Sequence, residues 1–596
     1  MPQPRKKPEP KDATQPIQMT GAEMVVRAIA DQGTDTVFGY PGGAVLPVYD
    51  ALFQQNRLRH ILVRHEQAAT HAAEGYARST GKVAAVIVTS GPGATNAVTG
   101  LTDALMDSIP MVCVTGQVPS HLIGSDAFQE ADTTGITRSC TKYNYLVRDV
   151  NDLGRIMHEA FYIARTGRPG PVVVDVPKNI LNSPGLYHGM NGDERKSYKP
   201  QREGDARQVE RAVELMAHAK RPVFYVGGGL INAGDLACEA LTALVRMTGF
   251  PITTTLMGLG AFPGSDPQWL GMLGMHGSLE ANMAMHDCDV MICIGARFDD
   301  RVTGKLEGFS PHSKKIHVDI DPSSIGKNVH AHVPIVGDAA VVVKQLVTAW
   351  KARKAQQGAH VLAPWWKQID GWRAKKSFSY RMSQNVIKPQ YALERLYKAL
   401  GNRDYYATTD VGQHQMWAAQ FLKFERPRRW MTSGGLGTMG YGMPCAMGAQ
   451  IAHPDKTVVC VTGESSLMMN IQELSTLKQY HLPVKVFILN NRYMGMVRQW
   501  QEMFHGGRYS ESYMDSLPDF VKLAEAYGIK GLRASKVSEV DQVIKEMLAH
   551  DGPVVVDMMV DQNENVYPMI PAGAAHHEIV LGPDGRNDGK LDKDQV

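Results

Sequence analysis

The chain has 596 residues, of which 43% are hydrophobic and 21% charged, a composition typical of a soluble globular protein with several domains. The formal net charge of +3 is too small for this length to indicate nucleic-acid binding. No apolar run reaches the roughly 18 residues of a membrane-spanning helix. The seven cysteines are scattered without metal-ligand spacing, which predicts reduced core residues in a reducing compartment, the cytoplasm.

Residues 1–16 are rich in proline and lysine and nearly free of apolar side chains, so they predict a disordered tail rather than a secretory signal. The first folded block, residues 17–190, alternates helices with strands, which indicates a parallel sheet covered on both faces. Its predicted helices include residues 20–32 and 67–79, and its predicted strands include residues 61–63, 83–89, 111–115 and 171–178.

Residues 183–205 are polar, with Pro, Gly and Asn, and predict a linker. The second block, residues 206–345, repeats the α/β alternation, with predicted strands at 223–226, 290–294 and 315–320. A glycine triplet at 227–229 follows the first of these strands and could face a phosphate, although the triplet alone is a weak signal. The charged, tryptophan-containing segment 351–385 is predicted to run over the surface as a connection.

The third block, residues 386–565, contains the stretch on which the functional interpretation depends. Predicted strands at 457–461 and 484–489 enclose a predicted helix over 466–480. Glu464 follows the first strand and Asn490-Asn491 follows the second, at the edge where open α/β sheets bind ligands. These oxygens and a helix N-terminus could hold Mg²⁺ and a diphosphate. An ordinary βαβ unit with polar loop ends explains the same residues equally well.

A diphosphate held by Mg²⁺ indicates a nucleotide or thiamine diphosphate, among other cofactors. The absence of G-x-x-x-x-G-K-[ST] excludes a P-loop. Thiamine diphosphate needs a second acid against its aminopyrimidine, in an apolar place away from the diphosphate. Glu66 is a candidate, because it stands alone between an apolar strand and a helix of small residues. An acid favoured in the first turn of a helix is the alternative explanation.

Eight stretches extend this interpretation, and together, in this order and at this spacing, they are specific. They are YPGGA (40–44), RHEQ (64–67), TSGPGATN (89–96), TGQVP (115–119), DAFQE (126–130), MLGMHG (272–277), RFDDRVTGK (297–305) and GMVRQW (495–500). Through them the chain resembles the thiamine-diphosphate enzymes of the pyruvate oxidase and decarboxylase superfamily. Within that superfamily it resembles the large, catalytic subunits of acetohydroxyacid (acetolactate) synthases, from about residue 18 to 570.

The resemblance implies an α/β fold of three doubly wound parallel-sheet domains. These are an N-terminal thiamine pyrimidine-binding domain (17–190), a central FAD-binding domain (206–345) and a C-terminal diphosphate- and Mg²⁺-binding domain (386–565), followed by a C-terminal tail (566–596). It implies thiamine diphosphate, Mg²⁺ and FAD as cofactors, with the flavin taking no net redox part.

The resemblance also implies roles for individual residues. Glu66 would activate the thiamine, and Gly43, Gln129 and Lys178 would also serve catalysis beside the substrate channel. Glu464, Asn491 and the backbone carbonyl of Tyr493 would hold the Mg²⁺. The thiamine diphosphate would contact Gly412, Gln413, His414, Gly437, Met439, Ser465, Ser466, Tyr493 and Met496. The FAD would contact Arg168, Gly228, Thr255, Leu256, Met275, His276, Gly295, Arg297, Asp299, Asp319, Ile320 and Asp338, and the substrate would contact Phe128, Arg301 and Trp500.

The implied reaction decarboxylates pyruvate and transfers the two-carbon unit to a second pyruvate or to 2-oxobutyrate. The products are 2-acetolactate or 2-aceto-2-hydroxybutyrate, for valine and isoleucine biosynthesis. Arg301 would pair with the second carboxylate through two hydrogen bonds, and Trp500 would pack on the acceptor's alkyl tail. Because Met496 and Trp500 are four residues apart on a helical stretch, ordinary helix core is the alternative for that pair.

The implied assembly is a homodimer or homotetramer, in which Glu66 faces a cofactor held by the partner subunit. A small regulatory subunit is also implied, whereas no nucleic-acid or membrane partner is expected.

One departure from the family pattern concerns the metal site. The superfamily usually has Gly-Asp-Gly where this chain has Gly463-Glu464-Ser465, and glutamate is one methylene longer than aspartate. We expect Glu464 still to bind Mg²⁺, after some rearrangement and more weakly, because Mg²⁺ tolerates displaced ligands poorly.

The alternatives within the enzyme class are another carboligase or a pyruvate oxidase. Glu66 argues against a glyoxylate carboligase, which lacks that acid. Residues 297–305 argue against a catabolic acetolactate synthase, which lacks the flavin motifs, and the set of acceptor-channel residues argues against a pyruvate oxidase. An inactive regulatory paralogue is the alternative from a different class, and Glu464 and Ser465 motivate it.

Overall fold

The computed structural model describes residues 16–190, 197–353 and 359–582. The predicted disordered tail of residues 1–16 therefore lies, apart from Pro16, outside the described residues. The chain divides into two compact units, each described by itself below. The first contains residues up to Ala73, Lys82–Leu105 and Ile109–Lys199, and the second contains Glu74–Gly81, Met106–Ser108 and the chain from Pro200 onwards.

The first unit is built on a six-stranded parallel sheet, beside which a separate two-stranded antiparallel pair forms. The strands are β1 (Ile17–Thr20), β2 (Thr36–Gly39), β3 (Arg59–Leu62), β4 (Ala84–Val88), β5 (Met111–Gln117), β6 (Tyr143–Leu146), β7 (Pro171–Pro177) and β8 (Pro184–Tyr187). The order in the large sheet is β3-β2-β4-β5-β7-β6, and β1 pairs with β8. The helices of this part of the chain are α1 (Gly21–Asp31), α2 (Leu46–Phe53), α3 (Glu66–Thr80), α4 (Pro92–Asn96), α5 (Val98–Met106), α6 (Thr133–Thr137), α7 (Val150–Arg165) and α8 (Lys178–Asn182).

The central sheet of the second unit has six parallel strands in the order β11-β10-β9-β12-β13-β14. They are β9 (Pro222–Val226), β10 (Ile252–Thr254), β11 (Trp269–Met272), β12 (Val290–Ile294), β13 (Lys314–Asp319) and β14 (Val333–Val336). The helices here are α9 (Ala206–His218), α10 (Gly228–Asn232), α11 (Asp235–Thr248), α12 (Leu279–Asp287), α13 (Asp300–Thr303), α14 (Ala339–Ala352) and α15 (Ala359–Arg373).

The C-terminal sheet of the second unit also has six parallel strands, in the order β16-β15-β17-β18-β20-β19. They are β15 (Tyr405–Thr409), β16 (Trp430–Met431), β17 (Thr457–Thr462), β18 (Lys485–Asn490), β19 (Lys530–Ala534) and β20 (Val554–Met559). The helices are α16 (Pro389–Leu400), α17 (Gln413–Phe421), α18 (Gly442–Ala452), α19 (Glu464–Met468), α20 (Leu474–Gln479), α21 (Gly495–Phe504), α22 (Phe520–Ala526) and α23 (Val540–Ala549). Short 3₁₀ helices lie at Ser120–Leu122, Leu256–Gly258, Leu306–Gly308, Ile471–Glu473, Val537–Glu539 and His576–Glu578.

The α/β prediction of three doubly wound parallel sheets is confirmed. The middle strands are buried along almost their whole length, as apolar parallel strands covered by helices on both faces should be. In each sheet the strand order reverses beside its earliest strand: between β2 and β4, between β9 and β12, and between β15 and β17. In the first and C-terminal sheets the order also reverses at one edge, where β7 lies inside β6 and β20 lies inside β19. Such a reversal opens a crevice at the carboxyl ends of the two strands, so each sheet has a defined place for a ligand.

Parts of two segments predicted as connections form regular structure. In the predicted linker 183–205, β8 pairs with β1, and the Tyr187 side chain is buried with its hydroxyl donating to Asp31 at 2.9 Å. In the predicted surface connection 351–385, α15 buries Trp365 and Trp372, and the indole of Trp365 donates to the Pro222 carbonyl at 3.0 Å. The amino-acid composition of the two segments does not predict these elements, because the residues that each one packs against are distant in the chain.

The single helix predicted over residues 466–480 is wrong. The chain forms α19, a 3₁₀ turn and α20, because Asn470 leaves helical geometry with φ −132°. Its side-chain amide donates instead to the Gly440 carbonyl at 2.7 Å. A tertiary hydrogen bond therefore overrides the apolar periodicity.

The part of the predicted C-terminal tail that the structure describes, residues 566–582, packs on the central sheet's layer. Ile570, Ile579 and Leu581 join the same apolar cluster as α12, and Met569 forms an antiparallel bridge with Val580. The predicted domain boundaries stay predictions. Within residues 16–190, 197–353 and 359–582, no helix combines the length and apolar character needed to cross a membrane.

Candidate cofactor site

The reversal between β15 and β17 places two glycine turns beside one histidine ring. Gly412 precedes α17 with φ +150°, and a Cβ there would approach the His414 ring to 2.9 Å. Gly463 precedes α19, and a Cβ there would lie 3.0 Å from Nδ1 of the same ring. Glycine is therefore needed at both turns for the His414 ring to lie against them.

Several polar atoms at this edge are buried without a hydrogen-bond partner among the described residues. They include both carboxylate oxygens of Glu464, the hydroxyl of Ser465 and Nε2 of His414. The hydroxyl of Thr438, in the loop after the neighbouring β16, is also without a partner. Buried polar groups are normally satisfied, and each one left unpaired costs free energy. Their concentration at one sheet edge indicates a polar ligand.

The electrostatics of the edge favour a cation. Burial raises the pKa of Glu464 to about 8. The backbone N–H groups of Glu464, Asn491 and Tyr493 lie near the carboxylate and partly stabilise its charged form, although none reaches hydrogen-bond geometry. Burial lowers the pKa of His414 to about 3, so this ring is neutral and supplies no positive charge. A bound divalent cation would relieve the cost of ionising Glu464. The donor set of carboxylate and amide oxygens is the one that Mg²⁺ prefers.

Asn491 and Tyr493 lie beside Glu464 in a turn that two amide side chains fix. The Asn491 oxygen accepts from Tyr493 N at 3.1 Å, and its nitrogen donates to the Gln413 oxygen at 3.1 Å. The Gln413 nitrogen in turn donates to Gln499 at 2.9 Å and to the Glu564 carbonyl at 3.0 Å. The three predicted metal ligands therefore lie together, and the predicted cofactor residue Gln413 is hydrogen-bonded to one of them, Asn491.

The loop that carries Gly437 and Met439 is pinned by two side chains. Ser433 accepts from Gly437 N at 3.0 Å and from Thr438 N at 2.8 Å. Asp410, at the end of β15, accepts from Gly440 N at 2.7 Å and from the Thr462 hydroxyl at 2.9 Å. Ser433 and Asp410 were not among the predicted site residues. Asp410 could have been predicted as a site residue, because it directly follows a buried strand.

Two further predicted cofactor residues have ordinary structural contacts. The Ser466 hydroxyl lies 3.4 Å from the Val411 carbonyl, and Met496 packs against the apolar core of the C-terminal sheet. For Met496 the helix-core alternative therefore holds at least in part.

The predicted FAD residues of the central domain follow the carboxyl ends of its strands. At the reversal between β9 and β12, Gly229 N donates to the Gly295 carbonyl at 3.0 Å, and Gly295 has φ +63°. A Cβ on Gly227 would lie 2.3 Å from that carbonyl oxygen, so the close approach of the two turns needs glycine. The other members of the set at this edge are Gly228, Thr255, Leu256, Met275, His276, Arg297, Asp299, Asp319, Ile320 and Asp338.

Some of these residues are free to contact a ligand and others are engaged locally. The hydroxyl of Thr255 and Nε2 of His276 are buried without a partner among the described residues, and burial lowers the pKa of His276 to about 4. Arg297 pairs with Asp299 at 3.2 Å. Asp338 instead caps α14 by accepting from Ala340 N at 2.9 Å.

A cavity of about 130 Å³ in the second unit is lined by one predicted substrate residue, Arg301, and one predicted FAD residue, Met275. The Arg301 guanidinium lies 5.6 Å from the Trp500 ring centre. Residues 570–573 of the C-terminal segment form another wall. Sequence reasoning missed this wall because it placed these residues in the tail.

In the first unit, Glu66 begins α3 just after β3 and is almost fully buried. Its Oε2 accepts from the Asn96 amide at 3.0 Å, and a Cβ on Gly93 would lie 3.5 Å from its Oε1. The small residues of the 89–96 stretch therefore surround this carboxylate, and Asn96 is a partner that was not predicted.

The other predicted residues of the first unit lie on loops at strand ends. Gly43 follows β2, and a Cβ there would meet nothing within 4 Å. Gln129 has φ +61°, and its neighbour Phe128 is 89% exposed. Lys178 begins α8 after β7, whereas Arg168 donates to the Leu105 carbonyl at 3.4 Å.

In metal-free protein, Glu464 is expected to make the free energy of unfolding fall as the pH rises. Its folded pKa of about 8 lies above the ordinary 4.5, so the folded chain holds a proton that the unfolded chain has lost. This contribution is fully present below about pH 4.5 and is lost by about pH 8; it amounts to at most roughly 5 kcal/mol, at 1.36 kcal/mol per pKa unit. Urea unfolding in EDTA should show a weaker decline between pH 5 and pH 8 for Glu464→Gln. Equal declines would contradict the prediction.

Comparison with known proteins agrees with this geometry. Residues 19–136, 209–346 and 410–558 match the N-terminal TPP binding, central and C-terminal TPP binding domains of the thiamine pyrophosphate enzymes. The chain is 51% identical over 568 residues to the acetolactate synthase isozyme 3 large subunit of Escherichia coli K12, covering 94% of this chain and 98% of that protein.

Two other relatives are similarly close. The acetolactate synthase large subunit of Haemophilus influenzae is 50% identical over 566 residues, covering 94% of this chain and 98% of that protein. The acetolactate synthase of Mycobacterium bovis is 50% identical over 568 residues, covering 94% of this chain and 91% of that protein. The chain therefore belongs to the thiamine pyrophosphate enzymes and, among them, to the family of acetolactate synthase large subunits.

Proposed function

We propose that this chain decarboxylates pyruvate and joins the two-carbon unit to a second pyruvate or to 2-oxobutyrate, giving 2-acetolactate or 2-aceto-2-hydroxybutyrate. The observation that carries the proposal is the buried, unpartnered Glu464 carboxylate at the strand-order reversal of the C-terminal sheet. In a family that binds thiamine diphosphate, such a carboxylate is suited to a metal ion that anchors the diphosphate.

Glu464, the Asn491 amide oxygen and the Tyr493 carbonyl would hold Mg²⁺. The unpartnered Ser465 hydroxyl and His414 Nε2 would donate to or accept from the thiamine diphosphate. Gly412, Gln413, Gly437, Met439, Ser466 and Met496 complete the proposed cofactor contacts. The glycine turns at Gly412 and Gly463 let the His414 ring lie against them, which places its Nε2 at this edge of the sheet.

Glu66 would exchange a proton with the pyrimidine ring of the thiamine. Bound thiamine diphosphate supplies the carbon nucleophile that accepts the acyl unit of a 2-oxo acid. Glu66 suits the proton transfer because it is buried and keeps one oxygen, Oε1, facing the small residue Gly93. The hydrogen bond from Asn96 to Oε2 orients the carboxylate for this role.

Arg301 would bind the acceptor's carboxylate, and Trp500 would pack on its alkyl chain. Arg301 lines the cavity that Met275 also lines, and its guanidinium lies 5.6 Å from the centre of the Trp500 ring. Gly43, Phe128, Gln129 and Lys178 are also proposed as substrate contacts.

Trp500→Leu is expected to lower the preference for 2-oxobutyrate over pyruvate about tenfold, because the alkyl chain loses an apolar partner worth roughly 1–3 kcal/mol. Arg301→Gln should instead raise the KM for both acceptors without changing their ratio. Competition between the two acceptors, read out as the ratio of the two products, checks both variants. An unchanged ratio in Trp500→Leu would contradict its role.

FAD is proposed to occupy the carboxyl edge of the central sheet. Thr255 and His276 offer unpartnered polar atoms there, and the paired glycine turns at 227–229 and 295 allow close approach of a phosphate. Arg168 is proposed as a further contact. The flavin would take no net redox part in the reaction.

The relatives from Escherichia coli and Haemophilus influenzae are named large subunits, which supports an assembly with a small regulatory subunit. We propose a homodimer or homotetramer as the catalytic core. All seven cysteine side chains are buried and none is in a disulfide, which supports the cytoplasm as its compartment. Light scattering of the chain alone and with a candidate small subunit tests the assembly.

Complementation tests the proposed function in cells. The chain, expressed in a strain without acetolactate synthase, is expected to restore growth in the absence of valine and isoleucine. Glu66→Gln is the control for growth without catalysis. Failure of the abundant, folded wild-type chain to restore growth, also with a small subunit present, would contradict the proposal and favour an inactive paralogue.

A further inference from the structure

Asp175 is a buried carboxylate that none of the proposed catalytic roles uses. It lies on β7, opposite Thr115 of β5, and is 1% exposed. One oxygen accepts from the Thr115 hydroxyl at 2.7 Å, and the other accepts from the Gln117 amide nitrogen at 3.0 Å. A buried acid placed against two neutral donors requires a reason, because burying it costs free energy.

The Gln117 side chain connects Asp175 to both ends of one loop, residues 118–131. Its oxygen accepts from Val118 N at 2.8 Å, where the loop begins. Its nitrogen donates to the Ala131 carbonyl at 2.8 Å, where the loop ends. Because the same nitrogen also faces the carboxylate of Asp175, only this orientation of the amide satisfies all three contacts.

Hydrogen bonds within the loop hold residues 124–130 together. The Glu130 carboxylate accepts from the backbone N–H groups of Gly124 and Ala127. A second anchor joins Ser120 N to the Asn179 side chain at 2.8 Å, next to Lys178. Phe128 and Gln129 are part of this loop. The attachment of the loop to Gln117 therefore determines the positions of these two side chains.

We propose that Asp175 is a positioning residue, which orients the Gln117 amide and through it the loop that presents Phe128 and Gln129 to the substrate. The catalytic part of this inference rests on the proposed function, whereas the placement of the loop does not. Burial raises the pKa of Asp175 to about 7 and the nearby Asp132 adds to the rise, while Thr115 and Gln117 oppose it. Measurements at pH 8 therefore keep the carboxyl mostly ionised.

Asp175→Asn tests the link, with Thr115→Val as the matched control. Asparagine has one acceptor oxygen in place of two and carries no charge, so it accepts from the Gln117 amide more weakly than the carboxylate does. The Gln117 amide is then held less firmly in the orientation that its contacts with Val118 and Ala131 need. Thr115→Val removes the other donor to the same carboxylate and leaves every contact of Gln117 in place.

Hydrogen exchange and kinetics are the two measurements. For Asp175→Asn, amide exchange at Gly124 and Ala127 should accelerate about tenfold and the KM for pyruvate should rise about tenfold, the equivalent of one buried hydrogen bond. The kcat should change less than the KM. Thr115→Val should stay within about twofold of the wild type in both measurements.

Gln117→Leu removes the hydrogen bonds of the Gln117 side chain with Asp175, Val118 and Ala131. It provides a second test of the proposal if Asp175→Asn folds poorly. It should reproduce the faster exchange and the higher KM, and adding Asp175→Asn should cause no further change. Equal exchange rates and KM values for Asp175→Asn and Thr115→Val would overturn the proposal. If the wild type formed no acetolactate, the proposed function would fail, and the exchange comparison would still decide whether Asp175 positions the loop.

Discussion

Glu66→Gln is expected to lower kcat about a thousandfold, a loss within the range for removing a general acid–base group. Glutamine keeps the size of the side chain and can still accept the Asn96 hydrogen bond, but it cannot exchange a proton with the pyrimidine. Thiamine diphosphate should still bind within about tenfold of the wild-type affinity, because the proposed metal and diphosphate contacts lie elsewhere. Steady-state kinetics and titration calorimetry measure the two quantities on the same preparation.

Glu23→Gln is the control for this variant, since it makes the same chemical change on the exposed start of α1 in the same unit. It should keep kcat within about twofold, because surface substitutions have small effects. A kcat of Glu66→Gln within tenfold of the wild type would contradict the role of Glu66. Loss of thiamine binding with intact folding would indicate that Glu66 holds the cofactor rather than activating it.

Glu464→Ala is expected to abolish Mg²⁺-dependent retention of thiamine diphosphate. The substitution removes the one charged ligand of the proposed metal site, where neutral oxygens from Asn491 and Tyr493 would remain. We expect the apparent affinity for the cofactor to fall at least about 100-fold, the upper end of the loss found for supporting groups around metals. Equilibrium dialysis with and without Mg²⁺ measures the retention.

Two further variants test whether the negative charge or the length of the Glu464 side chain is needed to retain the cofactor. Glu464→Asp keeps the carboxylate, shortens it by one methylene and should retain the cofactor, whereas Glu464→Gln should behave like Glu464→Ala. Glu525→Ala, on the exposed face of α22, is the control and should bind like the wild type. Full activity in Glu464→Ala would contradict the proposal that Glu464 binds the metal.

The sheets were predictable from the sequence because their strands are short apolar runs closed by glycine, proline or polar residues. The strand predicted at 290–294 has the bounds observed for β12, and the strand predicted at 457–461 differs from β17 by one residue. Parallel strands are buried on both faces, so they appear in the sequence as continuous apolar runs and not as alternating apolar and polar residues. Such a run can be recognised from the residues of the strand alone.

The elements that were missed depend on contacts across long stretches of chain. β8 exists because β1 pairs with it, α15 is held by buried tryptophans, and the helix predicted over 466–480 breaks where Asn470 bonds to Gly440. The packing of residues 566–582 likewise depends on a surface formed almost 300 residues earlier, as the hydrogen bond of Pro568 with His276 illustrates. No local propensity reports such contacts.

The candidate site divides in the same way. Glu464 and Asn491 were found from the residues alone because both follow buried strands. The flavin and substrate residues came only from the family resemblance, and their roles stay predictions. Asp410, Ser433, Asn96 and Gln117 were missed as partners because they act through hydrogen bonds to backbone or to other side chains.

The most direct measurement of the central claim is the product that the purified chain forms from ¹³C-labelled pyruvate without an electron acceptor. The protein is supplied with thiamine diphosphate, Mg²⁺ and FAD, and the products are followed by NMR. We predict labelled 2-acetolactate and carbon dioxide in equal amounts, with none formed when Mg²⁺ is removed or in Glu464→Ala. Acetate dependent on an added oxidant, free acetaldehyde as the main product, or no turnover by a cofactor-loaded chain would contradict the account.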